Sequence, residues 1–336
     1  MFKKRKQHAE YSAVVVGAGS IGALKADEFD SPKTKNILTL AHAFHSHPKT
    51  ELIGIVDNNL ERAETAGAKW GCPAYSHISE IEQKIDLLAV CVPTEIHFDF
   101  YQDLINYPMP RLIMAEKPFC NSLPQAMAAA DLLGDTPVAV NYSRRYLFVM
   151  QTLREAIEKE TGEVYSCTVY YDRGTIRDGS HAVDICNFLF GRFIGGSILP
   201  GRRCNDYSDD DVSLPLHLVY ERCGNVQMIP CNGEAFSIFE IDIITDRGRF
   251  RFIDHGRFME LYLVNREAVY GPYNSMSYKP TVFKTDLEKS LLYYVQHCMD
   301  YLEYKEPCLL CSAEDAINVH KVFSELGIGG MNETRN

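Results

Sequence analysis

No stretch of this 336-residue chain approaches the ~20 consecutive apolar residues that a membrane helix needs. The run Ala13-Val14-Val15-Val16 follows a basic cluster, Lys3-Lys4-Arg5-Lys6, as a signal sequence would. It is too short for a signal-peptide core and ends in a glycine turn with no cleavage-type sequence. A soluble protein is expected. Basic surface is scarce too. The chain has 34 Lys and Arg against 45 Asp and Glu, a net charge of −11. That argues against a nucleic-acid binder, which needs a concentrated basic face. The N-terminal cluster reads as a solvated tail.

Metal-ligand spacing is nearly absent. Cys308-Leu-Leu-Cys311 is spaced as a zinc half-site, but no second well-spaced Cys or His pair accompanies it, so no metal is expected. The 11 cysteines are an odd number, and several sit in apolar runs such as Leu87-Leu88-Ala89-Val90-Cys91-Val92. Small buried hydrophobes look like this, which implies reduced thiols and a cytoplasmic location. Internal repeats and low-complexity segments are missing.

At 46% hydrophobic the chain can bury a sizeable core, and its length suggests two domains. Short apolar runs at Ser12–Val16, Leu52–Val56, Asp86–Val92, Leu112–Ala115 and Pro137–Val140 read as strands. Helical stretches at Leu60–Trp70, Glu95–Ile105 and Leu123–Leu133 alternate with them. Continuous apolar strands separated by helices imply a doubly wound parallel sheet covered on both faces. The second half reads as a helix at Tyr146–Glu160, a strand at Glu163–Asp172 and a helix at Ser180–Phe190. Strand-like runs follow at Leu214–Tyr220, Val226–Pro230, Phe236–Thr245, Arg249–Asp254 and Arg257–Val269, implying a large open mixed or antiparallel sheet. Helices near Leu287–Tyr304 and Ala313–Leu326 close the chain. The expected fold is thus α/β. Residues 10–141 form a Rossmann domain, and 142–330 form an α/β domain for substrate binding and oligomerisation.

Gly17-Ala18-Gly19-Ser20-Ile21-Gly22 directly follows the first strand. The first glycine permits the tight turn, the second lets backbone approach a pyrophosphate, and the third allows close helix–strand packing. Free amides with a helix dipole behind them attract phosphate. The second strand ends in Asp57, placed to accept hydrogen bonds from the ribose hydroxyls of an adenosine. Its neighbours Asn58 and Asn59 carry no positive charge to offset a 2′-phosphate, which favours NAD over NADP. Asp57 lies 35 residues after Gly22, where ~20 is usual. The polar Lys25–Lys35 stretch reads as an inserted loop that interrupts the helix until about Asn36–His45.

Further motifs follow the later strands: Val92-Pro93-Thr94-Glu-Ile-His97, Glu116-Lys117-Pro118, and Gly179-Ser180-His181-Ala-Val-Asp184. In this order, with the glycine turn, they resemble the Gfo/Idh/MocA family, the glucose–fructose oxidoreductase and inositol dehydrogenase group. The resemblance runs from about Ser12 to Leu326. It implies hydride transfer between a nicotinamide and an alcohol or ketone of a sugar, cyclitol or sugar derivative. It also implies a cis Lys117–Pro118 peptide and a homodimer or homotetramer built through the C-terminal sheet.

Oxidising a secondary alcohol requires a base for the hydroxyl proton and a cation for the developing alkoxide. His181 suits the first task and Lys117 the second. Asp184, three residues beyond His181, lies on the same helical face and is expected to orient it. Many relatives carry an aspartate four residues before this histidine. Here that position is Arg177 and the acid is displaced to Asp178, so Arg177 is a candidate for an anionic substrate group. The resemblance also places Val92, Pro93, Thr94, His97, Glu116 and Asn141 around the nicotinamide, and Arg145 at the substrate. Arg202-Arg203 and Asp209-Asp210-Asp211 read as a solvated loop. Two rival functions stay open: a cofactor-binding regulator without turnover, as in a galactose-pathway corepressor of this fold, and a reductase of a non-sugar substrate, as in the biliverdin reductase relatives.

Overall fold

The computed structural model describes residues 9–266 and 271–329. The expected basic tail at 3–6 and the last residues of the strand expected to run to Val269 lie outside that range. The chain divides into two compact units. One joins residues 9–146 to 288–317, and the other joins 147–287 to the chain after 317.

The first unit holds six short strands: β1 (Tyr11–Val16), β2 (Thr50–Val56), β3 (Ala74–Tyr75), β4 (Leu87–Val90), β5 (Leu112–Ala115) and β6 (Val138–Val140). All pair in parallel, in the order β3-β2-β1-β4-β5-β6. Strands β4 to β6 are buried at every residue. This is why they read as unbroken apolar runs instead of alternating ones. Four helices connect them: α1 (Leu40–Ser46), α2 (Leu60–Trp70), α3 (His97–Leu104) and α4 (Leu123–Leu133). Helix α2 shows the local logic. The Asn59 side chain caps the Arg62 amide, and Ala63, Ala66, Gly67 and Trp70 form the buried stripe. Gly71, in the left-handed conformation at φ 75°, ends the helix.

The second unit opens with α5 (Phe148–Lys159), β7 (Val164–Tyr171) and α6 (Gly179–Phe190). Next come β8 (Phe193–Ile198), β9 (Cys204–Ser208), β10 (Asp211–Ser213), β11 (Leu216–Tyr220) and β12 (Cys223–Pro230). The remaining strands are β13 (Phe239–Thr245), β14 (Gly248–Ile253), β15 (Phe258–Arg266), β16 (Asn274–Met276) and β17 (Thr281–Lys284). A nine-stranded sheet runs β16-β15-β14-β13-β7-β12-β11-β8, with β17 also paired to β15. Only the β7–β12 pair is parallel. Along β7, Val164, Cys167, Val169 and Tyr171 are buried while Tyr165 and Tyr170 are exposed, so one sheet face is covered and the other is open. Arg249 and Arg251 on that open face pair with Asp242 and Glu260 across the strands. The sequence pattern missed the short or polar strands β3, β8, β9, β10, β16 and β17, which lack a run of apolar residues.

The division differs from the sequence expectation at the C-terminus. Helix α7 (Ser290–Leu302) belongs to the first unit, and α8 (Ala313–Glu325) starts there. The reason is specific bonding: Tyr294 Oη donates to the Ala139 carbonyl at 2.9 Å, His47 meets Gln296 at 2.9 Å, and Ser312 bridges to Ala139. All described cysteines are thiols, and all but Cys231 and Cys308 are buried. Burial pushes Cys72 and Cys120 up to about 12. Among the described residues no helix is long and apolar enough to cross a membrane.

Candidate active site

In the first unit, the strand order lines up five motifs at the carboxyl ends of adjacent strands. Asp57 follows β2, the glycine turn follows β1, Val92-Pro93-Thr94 follows β4, Glu116-Lys117 follows β5 and Asn141 follows β6. The strand order reverses between β1 and β4, which is where open parallel sheets take their ligands.

The glycine turn is sterically compulsory. A Cβ on Gly17 would lie 2.5 Å from the Cys91 carbonyl oxygen, and one on Gly22 would lie 1.9 Å from that of Gly17. Gly19 differs, since a Cβ there meets nothing within 4 Å. Its outer side is open space. The Gly17 amide bonds Val56 and the Ala18 amide bonds Asp57, but among the described residues the amides of Gly19, Ser20, Ile21 and Gly22 have no protein acceptor. Four unspent donors around an open surface fit a pyrophosphate. The expected helix dipole behind the turn is a correction. Only one turn follows, with the Ala23 and Leu24 amides bonding the Gly19 carbonyl, and the chain then leaves.

Asp57 is almost wholly enclosed. Its Oδ2 accepts from the Ala18 amide at 2.8 Å, and its Oδ1 accepts from the Asn59 amide and from Arg62 Nη2 at 2.8 Å. Burial pushes this carboxyl up, but hydrogen bonds from Arg62, Asn59 and Ala18 together outweigh it and hold the pKa below its ordinary value. Arg62 is the residue that sequence reading missed. It is not beside Asp57 in the chain, but the first turn of α2 carries it back. Asn58 stays exposed.

At the other end of the row, the Lys117–Pro118 peptide is cis. Burial raises the Glu116 carboxyl to about 7, with Asn141 hydrogen bonding and the Lys117 charge pulling against the rise. Asn141 Nδ2 donates to Glu116 Oε1 at 2.6 Å. Its Oδ1 is buried with no hydrogen-bond partner among the described residues. An orphaned amide acceptor beside Lys117 fits the carboxamide of a nicotinamide.

Two expected ligand contacts are instead structural ties. His97 is fully buried, with Nδ1 3.1 Å from the Phe119 carbonyl and Nε2 2.9 Å from that of Val92. It fastens the loop after β4 to the loop after β5. Burial lowers its pKa, against the pull of those carbonyls. Arg145 is also buried and donates to the Leu310 carbonyl at 2.8 Å and to Asp315 at 3.0 Å. A buried guanidinium requires such partners, and these come from the C-terminal segment, which the sequence gives no reason to place there.

In the second unit, Asp178, His181 and Asp184 sit where a π-turn, Gly174–Asp178, runs into α6. The wider turn is a recurrent feature of functional sites. His181 is half-buried and packs edge-on against Phe239, while Asp184 is buried. Arg177 lays its guanidinium over the Tyr207 ring at 4.3 Å. The β9–β10 hairpin holds the turn. Asp211 accepts from the Ile176 and Arg177 amides at 2.8 and 2.9 Å, Ser213 from the Gly174 amide at 2.8 Å, and Asp206 from the Arg173 amide at 2.9 Å. The solvated reading of Asp211 is therefore wrong. It is a buried cap, while Asp209, Asp210, Arg202 and Arg203 are exposed. Burial raises the Asp211 pKa against the pull of three amides, and Asp178 adds to the rise.

The fold and the amide cradle define a Rossmann dinucleotide-binding protein. Residues 11–142 match the family model described as the Gfo/Idh/MocA oxidoreductase family, NAD-binding Rossmann fold. Over those residues the chain is similar to the NAD-binding domain of that oxidoreductase family. No curated protein matches the chain in sequence. Solved structures do match its fold. An Agrobacterium radiobacter oxidoreductase in complex with NAD+, L-tartaric acid and magnesium is 16% identical, with TM-score 0.69 over 97% of this chain and 98% of its own. UDP-N-acetylglucosamine 3-dehydrogenase from Acidithiobacillus ferrooxidans is 14% identical, with TM-score 0.69 over 95% and 97%. A mutant 3-ketoreductase from Actinomadura kijaniata in complex with TDP-benzene and NADP gives the same values. Likeness at these identities is likeness of fold.

Proposed function

We propose that this oxidoreductase interconverts an alcohol and a ketone on a polyhydroxylated substrate, a sugar, cyclitol or sugar derivative, that also carries an anionic group. The observation that carries the reading is Lys117 beside Glu116, whose carboxylate accepts from Asn141, and the orphaned Asn141 oxygen, at the carboxyl edge of the sheet that also holds the amide cradle. A nicotinamide bound along that edge supplies the hydride acceptor or donor. Lys117 holds the reacting oxygen and stabilises its negative charge. His181 takes or returns the proton, with Asp184 and Asp178 as its acidic neighbours in sequence. Arg177, stacked on Tyr207, is the anion contact. Neighbouring structures that hold L-tartaric acid or act on a nucleotide-linked sugar support an acidic substrate. The enclosed Asp57 supports NAD, while Arg62 beside it supplies the positive charge that a 2′-phosphate requires.

The test follows nicotinamide absorbance across sugars, cyclitols, sugar acids and nucleotide sugars. Lys117→Ala abolishes turnover on the active substrate and leaves NAD affinity within a few-fold. Near wild-type turnover in that variant overturns the role of Lys117. Tight cofactor binding with no turnover on any member of the panel favours the regulator.

A further inference from the structure

The inserted segment after the glycine turn is closed at its base. Helical hydrogen bonding stops at Leu24 and resumes across the insertion, with the Leu40 amide on the Ile21 carbonyl at 3.0 Å and the Ala41 amide on that of Gly22 at 2.9 Å. The excursion is pinned inside by Asp30, fully buried, which accepts from the Leu38 amide at 2.9 Å and Thr39 Oγ1 at 2.7 Å and meets His42 Nδ1 at 2.7 Å. Helix α2 fixes its first residues. Trp70 Nε1 donates to the Ala23 carbonyl at 2.9 Å, and Lys69 Nζ donates to the Lys25 carbonyl at 2.8 Å. The backbone on both sides of Lys25 is thereby held, and its ammonium donates to Ser20 Oγ at 3.1 Å. Ser20 is one of the four residues whose amides have no protein acceptor.

We propose that Lys25 is a pyrophosphate ligand contributed by the insertion. Its ammonium pairs with phosphate oxygens held over the amides of residues 19–22. It provides the positive charge that a continuous helix behind the turn would otherwise provide. The proposal rests on the dinucleotide reading of the glycine turn. Lys33 lines the same cavity of about 820 Å³ between the insertion and α2, together with Lys25, Thr65 and Lys69. It is exposed, with no contact to the turn, and serves as the control.

Calorimetric titration of NAD, ADP and adenosine into the full-length protein tests this. Lys25→Gln weakens NAD and ADP roughly tenfold, leaves adenosine unchanged and flattens the salt dependence of ADP binding. Lys25→Arg restores most of the loss, and Lys33→Gln binds all three as wild type does. ADP affinity unchanged in Lys25→Gln overturns the proposal, as does an equal loss of adenosine or an equal loss in Lys33→Gln. If wild-type protein binds neither NAD nor ADP, the dinucleotide reading itself fails, and the proposal with it.

Discussion

Residue type announced chemistry at several positions, but burial decided what the side chain does with it. His97 and Arg145 have the groups of ligand-binding residues, yet both are enclosed and spend their polar atoms on backbone carbonyls and a carboxylate. A buried polar group without a partner costs roughly 1–3 kcal/mol, so enclosed nitrogens are claimed by whatever acceptor packs against them. Arg62 is the reverse case. Nothing in its sequence neighbourhood marks it, but helical geometry brings it to Asp57. Arg62→Ala is expected to raise the Asp57 pKa by removing its strongest hydrogen bond. It should also weaken NADP about tenfold relative to NAD, since one charge-assisted contact to a 2′-phosphate is lost. Paired titrations of the two cofactors measure it. Unchanged relative affinity would mean the guanidinium serves Asp57 alone.

Elements that are long and apolar were legible, and those built from polar residues were not. Apart from the two-residue β3, the parallel strands of the first unit stand where their apolar runs put them, because a strand buried on both faces has no polar alternative. The β9–β10 hairpin carries Asn205, Asp206, Asp209, Asp210 and Asp211 and looks like a solvated loop. It is an element because two of its carboxylates, Asp206 and Asp211, accept from amides in and just before the π-turn. Gly174 is part of the same fit: its φ is +91°, and a Cβ would lie 2.2 Å from Asp211 Oδ2. Asp211→Ala leaves the Ile176 and Arg177 amides without their acceptor and should cost about 2–3 kcal/mol. Urea denaturation should show a lower midpoint, with NAD affinity at the glycine turn unaffected. A solvated Asp211 would give no change.

At the scale of the whole molecule, each unit carries a buried histidine that resists protonation. His297 in the first and His320 in the second are both lowered to about 4 by burial. His297 Nε2 accepts from the Leu310 amide at 2.9 Å, and His320 Nε2 has no hydrogen-bond partner among the described residues. The unfolded chain titrates these groups near 6.5 and so binds more protons between pH 6.5 and 4. Stability is therefore fully present above 6.5 and lost as pH falls toward 4, by up to about 3 kcal/mol per histidine. Glu116, raised to about 7, acts in the opposite sense: its contribution is present below 4.5 and lost as pH rises through 7. Two histidines outweigh one carboxyl, so the apo protein should melt at lower temperature as pH drops from 6.5 to 4.5. His320→Leu should remove most of that drop, because His297 and Glu116 then nearly cancel, and an unaltered slope would exclude His320 as its source. What the sequence determined by itself was the first domain, its glycine turn and the motif that carries Lys117. Those features depend on local pattern: apolar period, turn stereochemistry and spacing along one strand. Tertiary structure alone decided that residues 288–317 complete the first unit, that Arg62 neutralises Asp57, that Asp211 caps the π-turn, and that the insertion returns Lys25 to the glycine turn. Each joins residues distant in the chain through hydrogen bonds that burial makes compulsory, and no local pattern encodes such partners.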